Sequence, residues 1–385
     1  MSKNDFSKEE FATRLARTRK AISAAGLDWL VVIHPVSMRW LIGQDNKSYT
    51  AFQCLPVSAE GGRLVVFTRE MERNEFEGDS LAEEVRTYNG AEPEDPMAAF
   101  TKFADDLGLK KGRVGMEVPN FYLSAPHYLK LMEILGPALV AEPSGLISSL
   151  KLAKSPQELE YHRKSAVIAA GAWKALLGSV QEGVSELELS GAAYHAILKS
   201  GSALPASTMN LMTGERSCYA LGMPTERRMR RGDTGLVELG GAHKRYTSTL
   251  GRQWCLGKPS QRLADLYKLV REASDACIAE MRAGAPAING HEALKAVFVK
   301  AGVDQFRQHT SGYGMAPGFP PSWGEPTNMF GGSNDVLQAN MVMSVEPGLF
   351  IKSEGLGVRL IDNVIVTEKG VQLLSTTSRE IAVVG

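Results

Sequence analysis

The spacing of apolar positions changes character partway along this chain. Ser7-Lys8-Glu9-Glu10 reads as a capping box, with Phe6 placed as a hydrophobic staple. Phe11, Leu15 and Ile22 then recur on one helical face until Gly26 stops the pattern. Short apolar runs follow at 27–35 (LDWLVVIHP), 63–68 (RLVVFT) and 114–119 (VGMEVP), and helical stretches near 95–108 and 125–135 alternate with them. That alternation predicts a small α/β domain.

The pattern changes at Leu150-Lys151-Leu152-Ala153-Lys154-Ser155-Pro156. Ser-Pro there opens a long helical stretch through about residue 177. The boundary predicts domains of 1–150 and 151–385. Ser185-Glu186-Leu187-Glu188 is a further capping box and starts a helix running to about residue 200. Strands are expected at 234–239 and 246–256, and helices at about 261–283 and 290–301. A Gly/Pro-rich segment covers 311–334, and strands at 341–345 and 358–367 close the chain. Helices followed by antiparallel strands predict an α+β second domain.

Composition narrows the function classes. With 385 residues the chain is long enough for two cores. Apolar residues make up 44% and charged residues 22%, the balance of a soluble globular protein. Formal net charge is zero and no basic stripe stands out, which argues against nucleic acid and anionic membranes as partners. No apolar run reaches the roughly 18 residues of a membrane helix. The polar N-terminus does not read as a secretory signal. Cys54, Cys218, Cys255 and Cys277 are scattered without a CxxC pair, so free thiols and a cytoplasmic location are expected.

Several residues carry candidate chemistry, each with a structural alternative. Glu238 lies within Leu236-Val237-Glu238-Leu239-Gly240-Gly241, where a buried carboxylate costs several kcal/mol unless paired or neutral; the alternative is an outward-facing strand residue. Glu346 ends an apolar run before Pro347-Gly348 and is either presented at a strand end or simply a turn residue. Tyr313 sits between Gly312 and Gly314, which permit close approach of a ligand, and His309 lies four residues upstream. Pro320-Pro321-Ser322-Trp323-Gly324-Glu325 reads as a rigid loop that walls a pocket or anchors packing. Arg359, in an otherwise apolar strand, suits a bidentate grip on a substrate carboxylate, or pairs a structural Asp or Glu. Trp40 opens a candidate loop, Trp40-Leu41-Ile42-Gly43-Gln44-Asp45, with core packing as its alternative.

Together these pieces resemble the pita-bread family of creatinase, prolidase, aminopeptidase P and methionine aminopeptidase. The resemblance runs in order through LKLAKSPQELEYHRKSA, RRGD, VELGG, RYTSTLGRQWCLG, SGYG, NMVMSVEPG and GVRLIDNVIVTEKG. It implies a pita-bread α+β C-terminal domain behind a smaller α/β N-terminal domain. Metallopeptidase members hold two divalent ions with two Asp, one His and two Glu. At the matching positions this chain has Glu238, Thr249, Tyr313, Glu346 and Ile361. Leu221 also stands where many members keep a His. Two carboxylates among five positions do not make a dinuclear site, so no metal and no cofactor is expected. The pattern is closer to the metal-free branch of ectoine hydrolase and creatinase, which also reads E-L-A-G and YPPDWGE-like. That branch implies a hydrolase acting on a C–N bond in a small amidine- or guanidine-like substrate. Glu238 is then the nucleophile or general base, with Glu346 and Tyr313 catalytic beside it. Trp40 and Trp323 are expected as pocket walls, His309 as a substrate contact, and Arg359 or Lys47 as the grip on a substrate carboxylate. Creatinase-type relatives imply a homodimer, with the 40–49 loop, including Lys47 and Tyr49, reaching the neighbour's pocket. Two other readings stay open: an Xaa-Pro dipeptidase-like peptidase with an altered metal site, and a non-catalytic ligand-binding homologue.

Overall fold

A computed structural model describes residues 2–119 and 121–385. The chain forms two compact units, Met1–Lys151 and Leu152–Gly385. In the first, a four-stranded sheet runs Leu55–Ser58, Trp29–Val32, Val114–Met116, Leu139–Ala141, with the first pair antiparallel and the others parallel. Val65–Arg69 and Glu84–Tyr88 form a separate parallel pair. Helices Lys8–Ala24, Pro96–Leu107 and Ala125–Leu135 lie where the periodicity predicts them. Ser7 caps the first by accepting from Glu10 N–H, and the Phe6 and Phe11 rings meet edge to face at 5.8 Å, which is the staple contact. The candidate loop at Trp40 is instead the helix Pro35–Ile42, opened by Pro35 at its first position and closed by Gly43 at φ 77°.

The second unit opens with Pro156–Gly178, capped by a full Ser155/Glu158 box, and Glu186–Lys199, capped by Ser185/Glu188. Both boxes tie the first-turn N–H groups that a helix cannot satisfy itself. Beneath them, strands Thr234–His243 and Tyr246–Leu256 form a long antiparallel hairpin, with Asn210–Thr213 on its outer edge. The sheet continues through Gly312–Phe319, Val342–Val345, Asp362–Val366 and Val371–Leu373. Gly241 explains part of the VELGG string. A Cβ there would lie 2.2 Å from Ser165 O and 2.6 Å from Ala169 N, so only glycine lets the helix cross the strand so closely.

Two expectations change. The Gly/Pro-rich segment is an antiparallel hairpin, Gly312–Phe319 with Ser322–Met329, turned at a cis Pro320–Pro321 bond. Composition hid it because glycine and proline are poor strand formers, and here the pairing partner decides. The expected strand 358–367 is split. Leu356–Arg359 pairs with Gly348–Ile351, whereas Asp362–Val366 pairs with Val342–Val345. Between them Ile361 bridges to Gly251, so Arg359 and Asp362 serve different layers.

Candidate active site

Strand pairing places Asn210 directly opposite Glu238, and Gly240 opposite Thr249. Glu238 is only 5% exposed, on a strand buried along almost its whole length. A carboxylate there needs partners, and it has two. Arg359 Nη1 donates to Glu238 Oε2 at 2.6 Å, and Asn210 Nδ2 donates to the same oxygen at 3.0 Å. The outward-facing reading of Glu238 is therefore excluded. Arg359 is itself buried, over the Phe350 ring at 5.5 Å, and among the described residues its Nε and Nη2 have no hydrogen-bond partner. Its guanidinium grips a carboxylate of the protein rather than one of a substrate.

Glu346 is held beyond the end of Val342–Val345 by its backbone N–H, which donates to Ser311 O at 2.9 Å. Its Oε1 accepts from Ser344 Oγ at 2.6 Å, and its Oε2 lies 3.6 Å from His309 Nδ1. That nitrogen is closer to Thr310 O, at 3.0 Å, and donates there. Burial pushes the Glu346 carboxyl above its ordinary value, and the charge of Glu238 adds to the effect. Tyr313 Oη accepts from Trp323 Nε1 at 3.0 Å. Burial first, then the charges of Glu346 and Glu238, hold the phenol well above its ordinary range, so it stays protonated.

Thr249 joins a buried chain of hydrogen bonds with a forced direction. Its backbone N–H, which can only donate, meets Asn363 Oδ1 at 2.5 Å, so Asn363 Nδ2 must donate to Thr249 Oγ1, at 2.8 Å. The Thr249 proton is then free for Ser344 Oγ at 3.4 Å, and the Ser344 proton goes to Glu346 Oε1.

These groups border a cavity of about 390 Å³, lined by Asn210, Glu238, His309, Tyr313, Trp323 and Glu325 among others. Leu221 lines it too. Glu346 and Arg359 are not lining residues; they stand behind the wall. Glu325 is paired with Lys154, whose Nζ also reaches Leu152 O at 3.1 Å. Both side chains of that pair are almost fully buried. Of the sequence-derived candidates, the fold therefore brings together Glu238, Glu346, Tyr313, His309, Trp323 and Arg359. Trp40, Lys47 and Tyr49 belong to the first unit. Trp40 is 2% exposed on its helix and packs beneath the Arg14 guanidinium, so it is a core residue of that unit and not a loop wall. Lys47 is exposed and Tyr49 meets the Tyr122 ring at 6.0 Å. Asn210, Lys154 and Asn363 were missed because their partners lie far along the chain, and Ser344 because its contact with Glu346 two residues on depends on how the chain turns after the strand.

The donor set does not suit a pair of divalent ions. Thr249 Oγ1 is engaged by Asn363, Ile361 is a fully buried hydrocarbon, and one of the two remaining carboxylates is neutralised by Arg359. Among the described residues no group of three or more His, Cys, Asp or Glu is placed to hold a metal ion.

Comparison with known proteins agrees with this architecture. Residues 14–150 match the creatinase/prolidase N-terminal domain, and residues 160–368 match metallopeptidase family M24. Ectoine hydrolase of Halomonas elongata is 28% identical over 395 residues, covering 98% of both chains. Xaa-Pro dipeptidase of Pyrococcus furiosus is 27% identical over 236 residues, covering 61% of this chain and 66% of its own. The solved Xaa-Pro dipeptidase of Bacillus anthracis superimposes with a TM-score of 0.83 at 24% identity, covering 97% of this chain and all of its own. The fold, two-unit layout and matched segments together make the chain a pita-bread hydrolase of the M24 family, with a creatinase/prolidase-type N-terminal domain.

Proposed function

We propose that this protein hydrolyses a non-peptide C–N bond in a small amidine- or guanidine-like cation without using a metal ion. The charge balance around the cavity carries the reading. Three buried carboxylates, Glu238, Glu325 and Glu346, are matched by two buried cations, Arg359 and Lys154. Among the described residues, the ion pairs Glu238–Arg359 and Glu325–Lys154 leave the Glu346 carboxyl to be balanced by a proton or by a cationic ligand. Among the described residues no Lys or Arg lines the cavity wall, so it favours a cation and offers no grip on a free carboxylate.

In such a substrate the carbon between two nitrogens is electrophilic. Glu238 either adds to it through a carboxylate oxygen or takes a proton from the water that adds. The carbon becomes tetrahedral, and the C–N bond breaks as the leaving nitrogen gains a proton; where Glu238 itself has added, water then cleaves the bond between Glu238 and that carbon and frees the carboxylate. Tyr313 lines the cavity as a protonated phenol whose O–H is turned to Glu346, so it links the cavity wall to that carboxyl. Glu346, behind it and favoured in its neutral form, is the proton reserve. Trp323 supplies an apolar wall beside the cation.

A thermal-shift screen over cyclic amidines, guanidino acids and prolyl dipeptides, followed by turnover assays, tests the substrate class. Amidines or guanidino compounds are expected as hits, with activity unaffected by chelators and with the Glu238→Gln variant folded but inactive. Stoichiometric bound metal, with prolyl-dipeptide cleavage lost to chelation, would favour the peptidase reading instead.

A further inference from the structure

The side of Glu238 that faces the cavity is determined by a residue outside every motif named above. Asn210 is half-buried on the strand Asn210–Thr213 and lies opposite Glu238 across the sheet. Its amide nitrogen and Arg359 Nη1 both donate to Glu238 Oε2, at 3.0 and 2.6 Å. Among the described residues, Glu238 Oε1 makes no hydrogen bond, although Glu238 lines the cavity. A carboxylate pinned through one oxygen by two donors from different strands cannot rotate freely, so its other oxygen is presented in a fixed direction. The amide of Asn210 is oriented by the same contact. Only Nδ2 can donate to a carboxylate, so Oδ1 is turned away from Glu238, and among the described residues nothing donates to it. Asn210 is also a lining residue.

We propose that Asn210 is both a positioning residue, which presents Glu238 Oε1 as the reactive oxygen, and a specificity determinant, whose Oδ1 accepts a hydrogen bond from a substrate N–H group. The second role rests on the amidine-like reading of the cavity; the first does not. The pair of acceptors, Glu238 Oε1 and Asn210 Oδ1, matches a planar amidinium, which offers N–H donors and a positive charge together. A fully N-alkylated cation of the same charge satisfies Glu238 by Coulomb attraction but leaves the Asn210 acceptor unmet, and an unmet buried polar group weakens binding.

The test compares the wild type with Asn210→Ala in two measurements. Crystal structures of the ligand-free proteins examine positioning. In the variant the Glu238 carboxylate is expected to swing about its remaining contact with Arg359. A carboxylate that superimposes on the wild type overturns the positioning role whatever the ligand is. Calorimetric titration with acetamidinium and with its tetramethylated form, which has no N–H, examines specificity. Asn210→Ala should weaken acetamidinium about tenfold, the scale of one lost hydrogen bond with its partner left unpaired. It should change the tetramethylated cation less than about twofold. Equal weakening of both cations overturns the specificity role. Failure of the wild type to bind either cation overturns the amidinium reading of the cavity and the specificity role with it, while the crystal structures still decide the positioning role.

Discussion

Removing Arg359 is the most direct challenge to the charge balance described above. The pair it forms with Glu238 has side-chain exposures of 1% and 6% and a contact of 2.6 Å, so solvent screens little of it. Truncation to a hydrocarbon of similar length, Arg359→Met, leaves a carboxylate buried with Asn210 as its remaining donor. Breaking a buried pair from one side costs about 3–5 kcal/mol, most of it the desolvation of the group left behind. Glu238→Gln should cost less, about 1–2 kcal/mol, because its amide oxygen still accepts from both donors and no bare charge remains. The double variant Arg359→Met/Glu238→Gln removes both charges and should recover at least about 2 kcal/mol of the single-variant loss. Urea unfolding followed by tryptophan fluorescence measures all four proteins, with Trp173, Trp254 and Trp323 reporting on the second unit. The reasoning fails if Arg359→Met stays within about 1 kcal/mol of the wild type, or if the double variant is no better than the single one.

Other outcomes follow from the same geometry. Thr249→Val breaks the directed chain that ends on Glu346, and should lower kcat about fivefold with KM little changed; Thr249→Ser should restore it, and a fivefold loss that Ser does not rescue would reject the chain as the cause. Lys154→Met takes the buried ammonium away from Glu325, and should destabilise the second unit by about 3–5 kcal/mol, a loss that Glu325→Gln in the same chain relieves. His162 is fully buried, donates through Nδ1 to Thr247 O, and is held down to about 3 by burial and then by the charge of Lys154. Because its folded value lies below its unfolded one, the unfolded chain binds the proton more readily between about pH 6.5 and 3, and stability falls as pH drops through that window by up to about 1.4 kcal/mol per unit. A His162→Gln variant should therefore lose less stability than the wild type between about pH 7 and 5 in parallel denaturation curves; equal losses would show that other groups dominate.

Local chemistry was enough to place much of this molecule from sequence. The capping boxes at Ser155 and Ser185 fix helix starts because the side chain and the orphan N–H groups lie within one turn of each other. The Phe6–Phe11 staple and the stop at Gly26 follow from equally short spacings. Motif order gave the family and the five ligand positions, four of them altered and Glu346 kept, since those positions are read one residue at a time. What sequence left open was anything decided by a partner far along the chain. The hairpin 312–329 forms from poor strand formers because the neighbouring strand supplies the hydrogen bonds. Arg359 and Asn210, separated from Glu238 by 121 and 28 residues, meet it through strand register and layer crossing alone. The sequence determined that Glu238 is a carboxylate on an apolar strand, an arrangement that demands compensation. Only the tertiary structure decided who compensates it and which oxygen is left to react, because a buried charge is satisfied by whatever the fold brings within about 3 Å of it.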